Sequence, residues 1–362
     1  MRILVAGNLA NMGFELTKAL RKKNVDAKLL LPKNPKNTED PKLLYPKIEN
    51  EGYPDWLVWF NKESRSFDLN NWKYQIIKEM RKKDYEIIIA LTEFPIFAIF
   101  SGKPFIVVST GSDMRELIFE KSVKGYLYRL AYKKAKAILW SEPDKAEIIK
   151  KLKISSKAFF LGIPRYSNFH PEKVSKRDLE GKFVIFHPTR QDWIHKRNDL
   201  FLHAFNKLCS LRNDIFLIIS NEGPDKNKAI KILSEGKGNG KFRFIPNANF
   251  EQLQFFYNMA DVIVDQFGVG SFGMISIESM MCKKPVIIGL DVSSFKTNNI
   301  EIPKGMIIAN SSEEILQKLN KIVSEEQYRK NLGEENRKYI EKYRNPEKMT
   351  EEYISICKKI LK

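Results

Sequence analysis

The sequence predicts an α/β protein built from two doubly wound domains, each a parallel sheet with helices on both faces. Short apolar runs alternate with amphipathic helical stretches along almost the whole chain, the pattern of repeated β–loop–α units. That pattern pauses at Gly162–Pro171, a linker, and then restarts. The unusual loops all follow the apolar runs, at the carboxyl ends of the expected strands, where ligands bind in such sheets. A chain of 362 residues has room for two domains of ordinary size.

In the first half, Ile3–Ala6 reads as a strand, Gly7–Gly13 as a loop, Phe14–Lys23 as a helix and Val25–Leu31 as the next strand. The piece from Pro32 to about Asn71 is irregular, rich in proline, asparagine and charge. It is longer than an ordinary connection, and its aromatics Tyr53, Trp56, Trp59 and Phe60 favour a functional insertion over a disordered one. Trp72–Lys83 reads as a helix, and Glu86–Leu91 and Phe105–Ser109 as strands, the latter leading into Thr110-Gly111-Ser112-Asp113. Glu120–Ala137 reads as a helix with Lys121, Lys124, Arg129, Lys133, Lys134 and Lys136, and with Tyr126, Tyr128 and Tyr132 interleaved. Its plainest reading is a core-packed helix with a solvated basic face. Ile138–Trp140, Pro143–Leu152 and Ala158–Leu161 complete this half as strand, helix and strand.

In the second half, Phe183–Phe186 is a strand ending in His187-Pro188-Thr189-Arg190, and Leu200–Leu211 is a helix. Ile215–Ser220 is a strand with the turn Asn221-Glu222-Gly223-Pro224, Phe242–Ile245 a strand and Asn249–Met259 a helix. Beyond Pro303 a helical tail is expected, and the Asn345-Pro346 break leaves Lys348–Leu361 as a separate final helix.

Hydrophobic residues make up 43% of the chain, enough for real cores, and no apolar run approaches the ~18 residues of a membrane span. The opening MRILVAGN reads as a strand rather than a signal peptide. Cys209, Cys282 and Cys357 are widely spaced and odd in number, which argues against a disulfide framework or zinc site. His170, His187, His195 and His203 show no metal-ligand spacing, so no metal is expected. These features predict a reduced, cytoplasmic protein. Residues 1–170 carry 31 Lys and Arg against 19 Asp and Glu, two-thirds of the net +18. Such an excess favours an anionic partner, unless it reflects only a lysine-rich composition.

The most informative stretch runs from Asp265 to Gly289. Asp265 ends the buried-strand pattern Val262–Val264, and a loop with Gly268, Gly270, Ser271, Phe272 and Gly273 follows. Met274–Cys282 then reads as a helix and Pro285–Ile288 as a strand. A glycine loop running into a helix presents backbone N–H groups and the positive end of the helix dipole, a setting for phosphate or sugar oxygens. Glu278 lies one turn from Met274 and from Cys282, a single carboxylate on an otherwise apolar face. The bland alternative is an ordinary loop–helix joint with an exposed glutamate. In the first half, Gly7–Gly13 lacks the spacing of a dinucleotide fingerprint, and no acidic residue closes the second strand near Leu31.

Four pieces in order resemble the donor domain of GT-B glycosyltransferases, particularly family 4. They are Arg190 with Lys196; Phe216–Ser220 with Glu222-Gly223-Pro224; Phe244–Asn247 leading to Tyr257 and Ala260-Asp261; and Gly273 with Glu278-Ser-Met-Met-Cys-Lys-Lys-Pro-Val. The segment Tyr343–Lys362 is similar to that family's terminal helix, which returns to the N-domain. The first half matches more loosely, at Gly7–Gly13 and at Thr110-Gly111-Ser112-Asp113. Two positions depart: Gly270 stands eight residues before Glu278 where the family has its first glutamate, and Thr110 stands where many relatives have histidine.

The resemblance implies two Rossmann-like domains facing a cleft: an acceptor domain over 1–165, with helix 348–362 on it, and a donor domain over 172–342. It implies Arg190 and Lys196 on the donor diphosphate and Asp113 beside the reaction. It further implies Glu278, Gly270, Ser271, Phe272, Gly273, Ile245 and Asn247 around the donor, and Gly7, Asn8, Asn11 and Gly13 in the N-domain loop. The expected activity is transfer from a nucleoside-diphosphate sugar to a lipid-linked or glycan acceptor, with retention, and with no cofactor beyond the donor. The rivals are a catalytically silent glycan- or anion-binding protein and a nucleotide-sugar epimerase. Nucleic acid is not an expected partner. The basic helix and the aromatics Trp56 and Trp59 predict peripheral docking on an anionic cytoplasmic membrane face.

Overall fold

A computed structural model describes residues 1–35, 39–62, 71–165 and 169–362, the side chain of Arg177 aside. The chain divides into two compact units, Met1–Tyr166 with Arg344–Lys362, and Ser167–Tyr343.

The first unit begins β1 Arg2–Ala6, α1 Met12–Lys22, β2 Asp26–Pro32, α2 Pro41–Leu44, α3 Lys47–Glu51 and β3 Leu57–Phe60. It continues α4 Trp72–Met80, β4 Ile87–Leu91, α5 Pro95–Ala98, β5 Phe105–Val108 and α6 Ser112–Arg115. Its last elements before the linker are α7 Val123–Lys134, β6 Ala137–Trp140, α8 Lys145–Lys151 and β7 Ala158–Phe160. The seven strands form one parallel sheet in the order β3-β2-β1-β4-β5-β6-β7. Strands such as β4, Ile-Ile-Ile-Ala-Leu, are apolar without alternation because both sheet faces are covered.

The second unit has β8 Phe183–His187, α9 Asn198–Leu211, β9 Ile215–Ser220, α10 Lys226–Glu235 and β10 Phe242–Ile245. Then come α11 Phe250–Met259, β11 Val262–Val264, α12 Met274–Met281, β12 Val286–Ile288 and α13 Val292–Thr297. It closes with β13 Met306–Ile308, α14 Ser312–Ser324 and α15 Glu326–Tyr343. Its sheet is also parallel, in the order β10-β9-β8-β11-β12-β13. In both sheets the strand order reverses beside the first strand, between β1 and β4 and between β8 and β11. Loops leaving the two strands at such a switch point splay apart and leave a crevice for ligands.

The final helix α16, Pro346–Leu361, belongs to the first unit. Asn345 caps it by accepting from the Lys348 N–H, and Pro346 fills the first helical position. Its Met349, Tyr353, Ile356 and Cys357 join Leu16 and Leu20 of α1 in the core on one sheet face. The other face is covered by α4, α5 and α7, through Ile76, Met80, Phe97, Tyr128 and Tyr132.

Three expectations change. The stretch after Pro32, part of which (36–38 and 63–70) lies outside the described residues, is not wholly irregular: Leu57–Phe60 extends the sheet as β3 beside β2. Its aromatics turn inward for that reason: Phe60 is buried, and Tyr53, Trp56 and Trp59 are half-buried against the core. Trp56 and Trp59, expected at a membrane surface, thus spend much of their area on core packing. In the stretch read as a helical tail, Met306–Ile308 is strand β13, three apolar residues paired with β12. The basic helix starts at Val123 rather than Glu120, because the Ser122 side chain accepts from the Gly125 N–H and caps it there. The linker Gly162–Pro171 includes 166–168, outside the described residues.

Candidate functional site

In the second unit, four loops at strand carboxyl ends are locked to one another around the start of α12. The loop after β8 is tied to the turn after β9: the Gln191 N–H donates to the Glu222 carbonyl at 2.7 Å, and the Asp225 N–H to the Gln191 carbonyl at 3.0 Å. Gly223 has φ +110°, and a Cβ there would lie 2.2 Å from the Gln191 carbonyl oxygen, so only glycine allows this contact. The loop after β8 also meets the loop after β11, where the Phe267 N–H donates to the Lys196 carbonyl at 2.8 Å. The loop after β12 closes the set, its Gly289 N–H donating to the Gln266 carbonyl and its Asp291 N–H to the Gly270 carbonyl, each at 2.9 Å.

Arg190 and Lys196 are both held in this assembly. Arg190 extends into solvent with its side chain 57% exposed, and its Nη2 meets Asp192 Oδ2 at 2.9 Å. Lys196 donates through Nζ to Gln266 Oε1. Asp192 also accepts from the His195 backbone N–H at 3.0 Å. Burial raises the Asp192 pKa, but the bonds from His195 and Arg190 outweigh it and hold the carboxylate below its ordinary range.

Asp265 clamps the start of α12 to the loop after β8, accepting from Ser276 Oγ at 2.6 Å and Thr189 Oγ1 at 3.0 Å. Its burial is the larger influence and pushes its pKa up. Beneath it, His187 Nδ1 lies 2.8 Å from the Val264 carbonyl, so it carries the proton, and Nε2 faces Asn198 Nδ2 at 2.8 Å. Burial lowers the His187 pKa to about 4, so the ring is neutral and structural.

No side chain caps α12 at Gly273, which leaves the first-turn N–H groups unused by a cap. A Cβ placed on Gly273 would meet nothing within 4 Å, so there is open space in front of that helix end. Gly270 has φ +72°, a region strained for any side chain. This loop shape accounts for glycine at the position where the resembled family has glutamate. Ser271 is buried, and its carbonyl accepts from Gln266 Nε2 at 2.9 Å. Phe272 turns inward and is buried, its ring stacked on Phe295 at 5.8 Å. Glu278 is buried rather than exposed, and accepts from Tyr257 Oη at 2.9 Å. Ile245 ends β10, its carbonyl accepting from the Asn221 N–H, and Asn247 is exposed beyond it.

In the first unit, polar side chains at the switch point are spent on the loops themselves. Asn8 donates to Asn11 Oδ1 at 3.0 Å and to the Glu39 carbonyl at 2.6 Å, and accepts from the Phe14 N–H at 2.7 Å. Asn11 donates to the Asp40 carbonyl at 3.3 Å. Gly7 has φ +99°, and a Cβ on Gly13 would lie 2.0 Å from the Gly7 carbonyl oxygen. Asp113 is buried; its Oδ1 accepts from Ser109 Oγ and the Thr110 and Gly111 N–H groups, and its Oδ2 from Tyr132 Oη. That carboxylate orders the loop after β5 and faces a cavity of about 810 Å³.

Residues 171–339 match the family model for glycosyl transferases group 1. The second unit is a group 1 glycosyltransferase domain. No curated protein matches the sequence. Among solved structures, HepE from Anabaena, solved with UDP and glucose, is 12% identical with TM-score 0.76, over 99% of this chain and 100% of that one. Sucrose-phosphate synthase from Thermosynechococcus elongatus is 11% identical with TM-score 0.74, over 99% of each chain. A TarM variant from S. aureus, solved with UDP, is 12% identical with TM-score 0.73, over 98% of this chain and 99% of that one. At these identities the likeness establishes the GT-B fold, and the family match supplies the enzyme class.

The loop assembly also depends on Asp192, Asp265 and Gln266, to which the sequence assigns no binding role. Asp265 carried a faint signal, an acid closing an apolar strand. Asp192 and Gln266 carried none, since their partners Arg190 and Lys196 are set by loop packing. Among the described residues no group of three His, Cys, Asp or Glu side chains is placed to hold a metal ion. No helix among them is long and apolar enough to cross a membrane.

Proposed function

We propose that this glycosyltransferase moves a sugar from a nucleoside diphosphate to a hydroxyl of a lipid-linked or glycan acceptor, with retention at the anomeric carbon. The donor site is the second-unit loop assembly, and the first unit holds the acceptor. The observation that carries this reading is one locked set of loops that holds Arg190 and Lys196 and contains the uncapped, open start of α12, with Lys196 linked through Gln266 to the Ser271 carbonyl just before that helix. As the glycosidic bond breaks, the electron pair leaves with the diphosphate and its negative charge grows. Cations and helix N–H groups already in place stabilise that growing charge more than the ground state. Arg190 offers a planar fork to phosphate oxygens, and Lys196 a point charge. Asp192 keeps the Arg190 fork placed until the diphosphate arrives. Glu278 serves the ribose hydroxyls, and Asp113 shapes the acceptor loop.

UDP is the first nucleotide to try, because the HepE and TarM structures were solved with it. At about 100 times its Kd it should stabilise the protein by roughly 2.7 kcal/mol. Thermal unfolding with UDP, ADP and GDP tests this, and absence of a shift with every nucleoside diphosphate removes the assigned donor site. Retention is tested by the anomeric configuration of the product in NMR spectra.

The same reading places the enzyme at an anionic membrane surface, docked through the exposed Lys121, Lys124, Lys133, Lys134 and Lys136 in and beside α7. Each basic residue near such a surface contributes up to ~1 kcal/mol. Sedimentation with phosphatidylserine vesicles should fall with salt and with charge reversal at Lys133 and Lys134. A protein that stays in the supernatant at low salt is not a membrane-docked enzyme.

A further inference from the structure

The 810 Å³ cavity in the first unit is large for a feature with no part in donor binding. It lies within the roughly 300–1,000 Å³ of small-molecule sites. Its character changes along its length. At the carboxyl ends of β4 and β5 it is lined by Glu93, Thr110, Ser112 and Asp113. Thr92, also in the lining, is held at φ +54°, a costly conformation for a β-branched residue and the kind of strain that collects at functional sites. Away from the strand ends the walls are Trp72 and Ile77 of α4, Phe97 of α5 and Leu127 of α7. At the surface this apolar part ends in Phe100 and Val123, 45% and 78% exposed, beside Lys73 and Lys124. Large apolar side chains left in water around the mouth of an apolar cavity mark a binding site.

We infer that this cavity takes the hydrocarbon chain of an amphiphilic acceptor, with the hydroxyl-bearing head at the strand ends and the chain between α4, α5 and α7. The inference rests on the reading that the first unit holds the acceptor, and it selects a lipid over a free glycan. A free glycan would leave the apolar walls wet. A hydrocarbon chain fills them, and the lysines at the mouth match the charge of an anionic lipid surface from which the chain would enter.

The test is calorimetric titration of the full-length protein with n-hexyl, n-octyl and n-decyl β-glucosides below their micellar concentrations. Each methylene buried in the cavity should tighten binding about fourfold, or about two orders of magnitude from hexyl to decyl. Leu127→Trp, which fills the cavity, and Val123→Glu, at an exposed position where folding is not at stake, should both flatten that dependence. Affinity independent of chain length overturns the inference, and so does a dependence that both variants retain, since the chains would then bind elsewhere. UDP titration of the wild type reports separately on the donor site. Loss of UDP binding with the chain-length dependence intact would sink the donor assignment alone, and the reverse would sink the cavity alone.

Discussion

The two sheets share a topology, yet their switch points are equipped differently. Beside β8 and β11 the loops hold cations at the surface around an uncapped helix, with carboxylates behind them as fixtures. Beside β1 and β4 the polar side chains Asn8 and Asn11 are consumed in holding their own loop, and the large feature nearby is an apolar cavity. One fold can therefore serve a charged ligand or an apolar one, depending on whether its loop polar groups face outward or bond each other.

The contrast is broken most directly by removing its charge. Arg190→Ala combined with Lys196→Ala should weaken UDP binding by about 3–6 kcal/mol, two to four orders of magnitude, since each charge-assisted contact is worth roughly 1.5–3 kcal/mol. Calorimetry decides it. Wild-type affinity in the double variant would mean that the second switch point is no more a phosphate site than the first.

His187 sharpens the comparison from beneath. It is neutral with a folded pKa near 4 because of burial, against an ordinary 6.5. Between those values the unfolded chain binds the extra proton, so stability is full above pH 6.5 and falls as the pH drops toward 4, by about 3 kcal/mol. Urea unfolding across that range should show this loss, and His187→Gln should lack it. An unchanged acid slope in the variant would show that the loops after β8 and β11 do not depend on this buried ring.

The alternation of apolar runs and helices made both sheets readable from sequence, because strands buried on two faces are written as plain apolar runs. The exceptions were short. Leu57–Phe60 sits on the sheet edge in a proline-rich setting, and Met306–Ile308 is three residues between helices; neither is long enough to show a period. At the site, residue types that act through charge or backbone freedom were legible: Arg190, Lys196, Gly270 and Gly273. Orientation was not legible. Phe272 stands in the glycine loop by position, yet its ring lies inside against Phe295, and Asn8 and Asn11 bond each other rather than face outward. Which way a side chain turns depends on neighbours distant in sequence, such as Glu39 for Asn8.

A smaller effect separates loop architecture from ligand binding. Asn8→Ala removes three hydrogen bonds that tie the loop after β1 to α1 and to Glu39. Leaving such buried partners unpaired costs about 1–3 kcal/mol, so Tm should fall while UDP affinity stays at the wild-type value. If Asn8→Ala instead weakens UDP binding without lowering Tm, the first switch point contacts nucleotide and the contrast between the units fails.

The smallest effect lies at Glu278, where a carboxylate that reads as a ligand contact also has a structural partner. It is buried and accepts from Tyr257 Oη at 2.9 Å, and burial together with this carboxylate holds the Tyr257 pKa well above its ordinary value. The phenol therefore stays protonated and donating. Glu278→Gln preserves size and leaves the amide oxygen to accept from Tyr257, but removes the charge, so hydroxyl bonds to it weaken by about 1 kcal/mol. UDP should bind several-fold more weakly to the variant, while the loss for 2′-deoxy-UDP should be smaller, because one of the two hydroxyls that Glu278 holds is gone. Equal losses for both nucleotides would mean that Glu278 acts through Tyr257 and α12 packing and does not touch the ribose. A fall in Tm alone, with both affinities unchanged, would make it a core residue of the second unit.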